Sequence, residues 1–210
     1  MQTPDLASLW KQAIHHFQHK RFAEAEALCL QLVNHAPDKP LAFAMLAQIC
    51  LAAGLVREAT FNAFQASQRL QHVLAGDIVE VAHVLLEVGE WHLAYSALGL
   101  IDPEHPDNAG LLVELGRLYS NLEDQPRALR CIDLARAKGF DNAFVANTHG
   151  ILRSFVGELD GAVASCEESI AQAPGFGHAH WFRAQLGRKE FARERVSRMR
   201  AVLDRPELGN

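Results

Sequence analysis

The chain has 210 residues, 49% of them apolar and 21% charged, with eight prolines and no low-complexity tract, a composition that excludes intrinsic disorder. A formal charge of −5 and an isoelectric point near 6.1 argue against nonspecific nucleic-acid binding through phosphate contacts. The most apolar segment, Leu41 to Val56, contains Gln48 and Gly54 and falls short of the roughly 20 residues a membrane span needs.

In chain order, Met1 to Asp5 shows neither a basic start nor an apolar run, so no signal peptide is expected. Thr3-Pro4 reads as a helix start, with Thr as N-cap and Pro at the first helical position. A first helix runs to about Gln18 and a second from Phe22 to Asn34. The next pair opens at Pro40 and turns at Gly54-Leu55-Val56-Arg57-Glu58-Ala59. Its closing position holds Gln71 instead of proline, so its second helix is expected to run on a little. The third pair, with Ala82 at its small position and its turn from Gly89 to Ala94, is shifted by one residue. That extra residue is assigned to a loop near Ala75-Gly76-Asp77. The fourth pair ends at Lys138-Gly139, a helix C-terminus, and the fifth turns at Gly157 and closes at Pro174. Beyond Gly187 the pattern fades into a basic helix whose stripe of Val196, Met199 and Val202 suits a terminal cap.

Gly116 and Ala128 recur as Gly150 and Ala162, each 34 positions later. Thirty-four residues per helix-turn-helix is the tetratricopeptide (TPR) period, and the chain resembles that family. The resemblance implies an all-α fold: an α-solenoid of about six repeats, forming a right-handed superhelix with a concave groove. Repeats are expected at about 6–39, 40–73, 75–108, 109–141 and 142–175, with a degenerate capping unit at 176–205. Within each pair, a small residue on the first helix meets an alanine on the second, where any larger side chain would hold the helices apart. Pro37, twelve residues after Ala25, keeps the family's alanine-to-proline interval. Trp10 sits one place later than the family's tryptophan, which turns it toward the groove. Cys29, Cys50, Cys131 and Cys166 form no C-x-x-C pair and fall at or beside packing positions, as small core residues of a reduced, cytoplasmic protein would.

The resemblance also places the first helices on the concave side. Counting positions along each repeat then gives a candidate partner-binding groove of Trp10, Gln48, His83, Arg117, Asn147, Ser154, Trp181, Gln185 and Arg188. This mixture of apolar and polar points suits an extended or helical peptide, with aromatic and arginine anchors carrying most of the affinity. Some members of the family clamp a terminal carboxylate with lysines and asparagines. Here the comparable positions hold Trp10, Ile14, Ala44 and Gln48, which do not form that clamp.

Catalysis and cofactors are not expected. The sequence has no Gly-x-Ser-x-Gly, no phosphate-cradling Gly-rich loop ending in Lys-Ser or Lys-Thr, and no His-Glu-x-x-His. His15 with His19, and His178 with His180, lack the third ligand that a metal site needs, so no metal is expected. The carboxylate pairs Glu123-Asp124 and Glu167-Glu168 read as solvated turns or outer helix faces. The expected partner is a protein or peptide, with neither nucleic acid nor membrane.

One stretch is more specific. Ala173-Pro174-Gly175-Phe176-Gly177-His178-Ala179-His180-Trp181, followed by Arg195-Val196-Ser197-Arg198-Met199 and Leu203-Asp204-Arg205-Pro206-Glu207-Leu208, resembles the end of the repeat array in bacterial TPR-containing sulfotransferase-like proteins. That resemblance implies an alternative to the free-standing scaffold: a non-catalytic, substrate-presenting module of a larger enzyme. The basic helix between Arg183 and Arg205 would then pack on a following domain, or on a second copy of the chain.

Overall fold

The computed structural model describes residues 5–104, 108–186 and 199–202. Among them are eleven α-helices of eight residues or more and no strand: α1 (Leu6–Gln18), α2 (Phe22–His35), α3 (Pro40–Ala52), α4 (Val56–Ser67), α5 (Ala75–Glu87), α6 (Trp91–Leu98), α7 (Ala109–Asn121), α8 (Gln125–Ala137), α9 (Ala143–Phe155), α10 (Leu159–Gln172) and α11 (Gly177–Leu186). The fold is all-α, of the α-solenoid class, and divides into two compact units, Met1–Asp102 and Pro103–Asn210.

The turns inside the hairpins explain why the chain breaks where it does. Lys20, Gly54, Gly89, Glu123 and Gly157 all have positive φ, between 58° and 87°. After each, the next residue donates its amide five residues back: Arg21 to His16, Leu55 to Cys50, Glu90 to Leu85, Asp124 to Tyr119 and Glu158 to Arg153, at 2.7–2.9 Å. A left-handed residue with this bond is the Schellman stop, which satisfies the last carbonyls of one helix while reversing the chain into the next. The five stops lie 34, 35, 34 and 34 residues apart. Three use glycine, which enters the left-handed region freely, whereas Lys20 and Glu123 accept a cost of about 1–2 kcal/mol each.

Each hairpin closes around small side chains. A Cβ added at Gly116 on α7 would lie 3.1 Å from the Ala128 carbonyl oxygen and 3.0 Å from the Ile132 side chain on α8. One added at Gly150 on α9 would lie 3.0 Å from the Ala162 carbonyl oxygen and 3.0 Å from Cys166 Sγ on α10. The alanines opposite, Ala128 and Ala162, have no exposed surface.

In the first unit, α3 packs against α2, α4 and α5, and nine of its thirteen residues are buried. Contact on several sides explains why Leu41 to Val56 is so apolar without spanning a membrane. In the second unit, α8 packs on α9 and α10 on α11, joining successive hairpins. All four cysteines are buried and free. Burial pushes the Cys29 thiol up to about 12, and those of Cys131 and Cys166 up to about 11, so they act as small apolar groups.

Three local expectations change. Asp5 caps α1, accepting from the Ala7 amide at 3.1 Å, while Thr3 and Pro4 lie outside the described residues. Helix α4 does not run on; it stops at Ser67, and a loop with His72 at φ 58° follows. Ala75, Gly76 and Asp77 form the first turn of α5, so the extra residue of the third hairpin belongs ahead of them. Of the expected basic capping helix beyond Gly187 only 199–202 are described, and of the sulfotransferase-like motif only Ala173 to Trp181 and Met199.

Gly116→Leu should lower stability by about 1–3 kcal/mol through overpacking, read as a lower urea midpoint by circular dichroism. Gly76→Ala, whose Cβ would meet nothing within 4 Å, should show no loss; equal midpoints for the two would contradict the crossing described.

Candidate functional site

In the first unit, α1 and the α2–α3 connection surround a cavity of about 270 Å³ lined chiefly by Leu6, Ala7, Trp10, Leu32, Ala36, Pro40, Leu41 and Ala42, with Lys39 and Asp77 at its polar edge. Trp10 is half-buried and also packs on the core cluster of Ala13, Leu32 and Met45. Gln48 on α3 and His83 on α5 are half-buried on their own helices and do not line this cavity.

In the second unit the predicted residues fall into two groups. Asn147 on α9 is buried, 2% exposed, because α11 covers it: its amide lies 2.9 Å from His178 Nδ1. His178 in turn lies between the rings of Phe176 and Trp181, at centroid distances of 6.2 and 5.5 Å. Trp181 keeps 56% of its surface exposed. Asn147 and Trp181 thus belong to one aromatic-rimmed patch on α9 and α11. Arg117 on α7 is exposed and engaged on its own helix, donating to both Glu114 oxygens at 2.6 and 3.1 Å. The Ser154 hydroxyl donates to the Ile151 carbonyl, and Gln185 is exposed near the end of α11. Arg188 lies outside the described residues.

Position counting along the repeats misses a polar network beneath the second unit's hairpins. Arg136 on α8 donates to Glu168 on α10 at 2.6 and 2.8 Å, to Asp141 at 3.1 Å, and to His149 Nδ1 on α9. With Nδ1 accepting, the His149 ring carries its proton on Nε2 and donates it to Asp133, 2.8 Å away. Ser165 Oγ lies 3.0 Å from the same Nδ1 and donates to the Gly161 carbonyl. The order Ser165, His149, Asp133 has the topology of a nucleophile, base and acid. However, Ser165 and His149 are 3% and 4% exposed, and Arg136 already occupies the lone pair that would activate the serine. The arrangement therefore ties α8, α9 and α10 together. Its sequence signal is a histidine on the buried stripe of Val145, Ala146 and Leu152.

The carboxylate pairs are more than solvated. Asp124 caps α8 through the Arg127 amide, Glu167 accepts from Arg183 at 2.8 Å, and Glu168 holds Arg136. Their partners lie up to 32 residues away, which a local reading of the sequence does not reach. Among the described residues, no three His, Cys, Asp or Glu side chains are placed to hold a metal ion, and no helix is long and apolar enough to cross a membrane. His19 Nδ1 donates to the His15 carbonyl, which is a local helix contact.

Burial pushes the His149 pKa down, and Arg153 and Arg136 add to that effect against the opposing pull of Asp133. The unfolded chain therefore takes up this proton first, at about pH 6.5, so His149's contribution is complete above that pH and is lost as pH falls toward the lower folded value. The urea midpoint should drop from about pH 7.5 to about pH 6, and His149→Gln should flatten that slope. An unchanged slope in the variant would contradict the neutral ring.

No protein-family profile matches the sequence, and no curated protein matches it. Solved structures do. The C-terminal part of a TPR repeat-containing protein from Cytophaga hutchinsonii matches at 14% identity and a TM-score of 0.66, over 91% of this chain and 78% of that one. Pseudomonas aeruginosa pilF matches at 14% identity and 0.66, over 94% and 88%. A chain of the APC/C hetero-tetramer Cut9–Hcn1 matches at 14% identity and 0.56, over 94% of this chain and 39% of that one. At such identities the likeness carries the fold alone: this chain is built of helical hairpins like those of TPR proteins.

Proposed function

We propose that the protein is a non-catalytic scaffold that binds a peptide or partner domain through the face carrying Asn147 and Trp181. The observation behind this reading is the Trp181 ring. It is more than half exposed, held beside His178, and anchored through His178 to buried Asn147. A rigid aromatic that is apolar on its face and fixed at its base is the kind of side chain that carries binding energy at protein interfaces, because little rotamer entropy remains to be lost. Arg117, Ser154 and Gln185 supply polar points on the same unit's helices. The presence of a structurally similar chain in the Cut9–Hcn1 hetero-tetramer is consistent with this use of the fold. Four buried, unpaired thiols fit a reducing, cytoplasmic setting.

The reading is tested by partner capture. The intact protein, cross-linked in its source cells, should retain a defined protein partner. The Arg117→Ala, Trp181→Ala double variant should weaken that complex at least about thirtyfold, as loss of a hot spot does. Undiminished capture by a folded double variant would overturn the reading.

A further inference from the structure

The cavity under Trp10 has features that core packing does not require. Its lining is almost wholly apolar, yet it remains open, and at about 270 Å³ it falls just below the roughly 300–1,000 Å³ of pockets that hold whole small molecules. That volume suits one side chain of a larger ligand. Its rim is fixed from outside: Arg69 Nε donates to the Pro37 carbonyl at 2.6 Å, and the guanidinium lies over the Phe43 ring at 4.2 Å, pinning the α2–α3 connection that forms one wall.

The charges around the mouth do not balance. Lys39, the one cation among the lining residues, sits 3.6 Å from Asp38. Among the described residues Asp77 makes no ion pair within 4 Å, and Lys39 acts on it only at longer range. Asp5, bonded to the amide of the lining residue Ala7, adds a further carboxylate nearby. Burial raises the Asp77 pKa, with Lys39 only partly opposing the shift, as for a carboxylate short of a counter-charge.

We propose that this pocket takes one apolar side chain of a peptide whose adjacent residue is cationic, the Lys or Arg of that peptide pairing with Asp77 at the rim. The proposal rests on the scaffold reading but uses a different surface, sharing only Trp10 with the predicted groove.

The test selects short random peptides, displayed on phage, against the full chain. Enriched sequences should place Leu, Ile, Met or Phe next to Lys or Arg. Enrichment should vanish with Ala7→Trp, which fills the mouth from an exposed position and leaves the core intact. Asp77→Lys should switch the neighbouring preference to Asp or Glu, with circular dichroism confirming that both variants fold. Enrichment of acidic neighbours by the wild type, or enrichment that survives Ala7→Trp, would overturn the proposal. So would selection that depends on Trp181 and Arg117 but not on Ala7, although that result would leave the scaffold reading standing. Failure to enrich any peptide would overturn the pocket alone, since the scaffold reading is judged by partner capture.

Discussion

The close approach of paired helices at a single small residue governs the rest of the molecule. At Gly116 and at Gly150 the facing backbone carbonyl is so near that even a methyl group would press on it. This contact fixes where two helices cross and leaves their remaining side chains to interlock on either side of the crossing. Because the hairpin is tight, its apolar faces are left to pack on the neighbouring hairpin within the same unit, as α3 does on α5 and α8 on α9. Within each unit, stability then accumulates through contacts between neighbouring hairpins.

The same crossing brings the polar network together. Gly150 lets α10 come in against α9, and that proximity sets Ser165 within hydrogen-bond distance of His149, one residue before the glycine. Arg136 then spans from α8 to Glu168, so two successive hairpins are joined by directed bonds as well as by apolar surface. Burial opposes the arginine's charge, and its hydrogen bonds to Asp141 and Glu168 more than offset that, so the guanidinium stays protonated. Removing Arg136 would leave the buried His149 Nδ1 without that donor, which makes the centre of the network costly to vary piecemeal.

The all-α class was legible because the recurrence of Gly116 and Ala128 at Gly150 and Ala162 reflects the crossing contact itself. Glycines at positions 54, 89 and 157 likewise mark real left-handed stops. Lys20 and Glu123 occupy the same conformation without any residue-type signal, so the regularity of the turns exceeds what composition announces. Position counting treats the candidate groove as surface, yet Asn147 is buried because α11 covers it, a tertiary fact that a one-dimensional count cannot hold. The cavity and the arginine network were illegible for a related reason. Each gathers side chains from segments tens of residues apart, and no local pattern ties Asp77 to Leu6 or Arg136 to Glu168.

Helix α1 has a single buried residue, Ala13, whereas α3 has nine. With so little surface committed, α1 is expected to open locally at a lower free energy than α3, its amides exchanging with solvent first. Trp10, on α1, is also a wall of the cavity described above. Anything that settles there holds the looser helix against the more deeply buried one. Occupancy of a small pocket would thereby be converted into order over an entire hairpin.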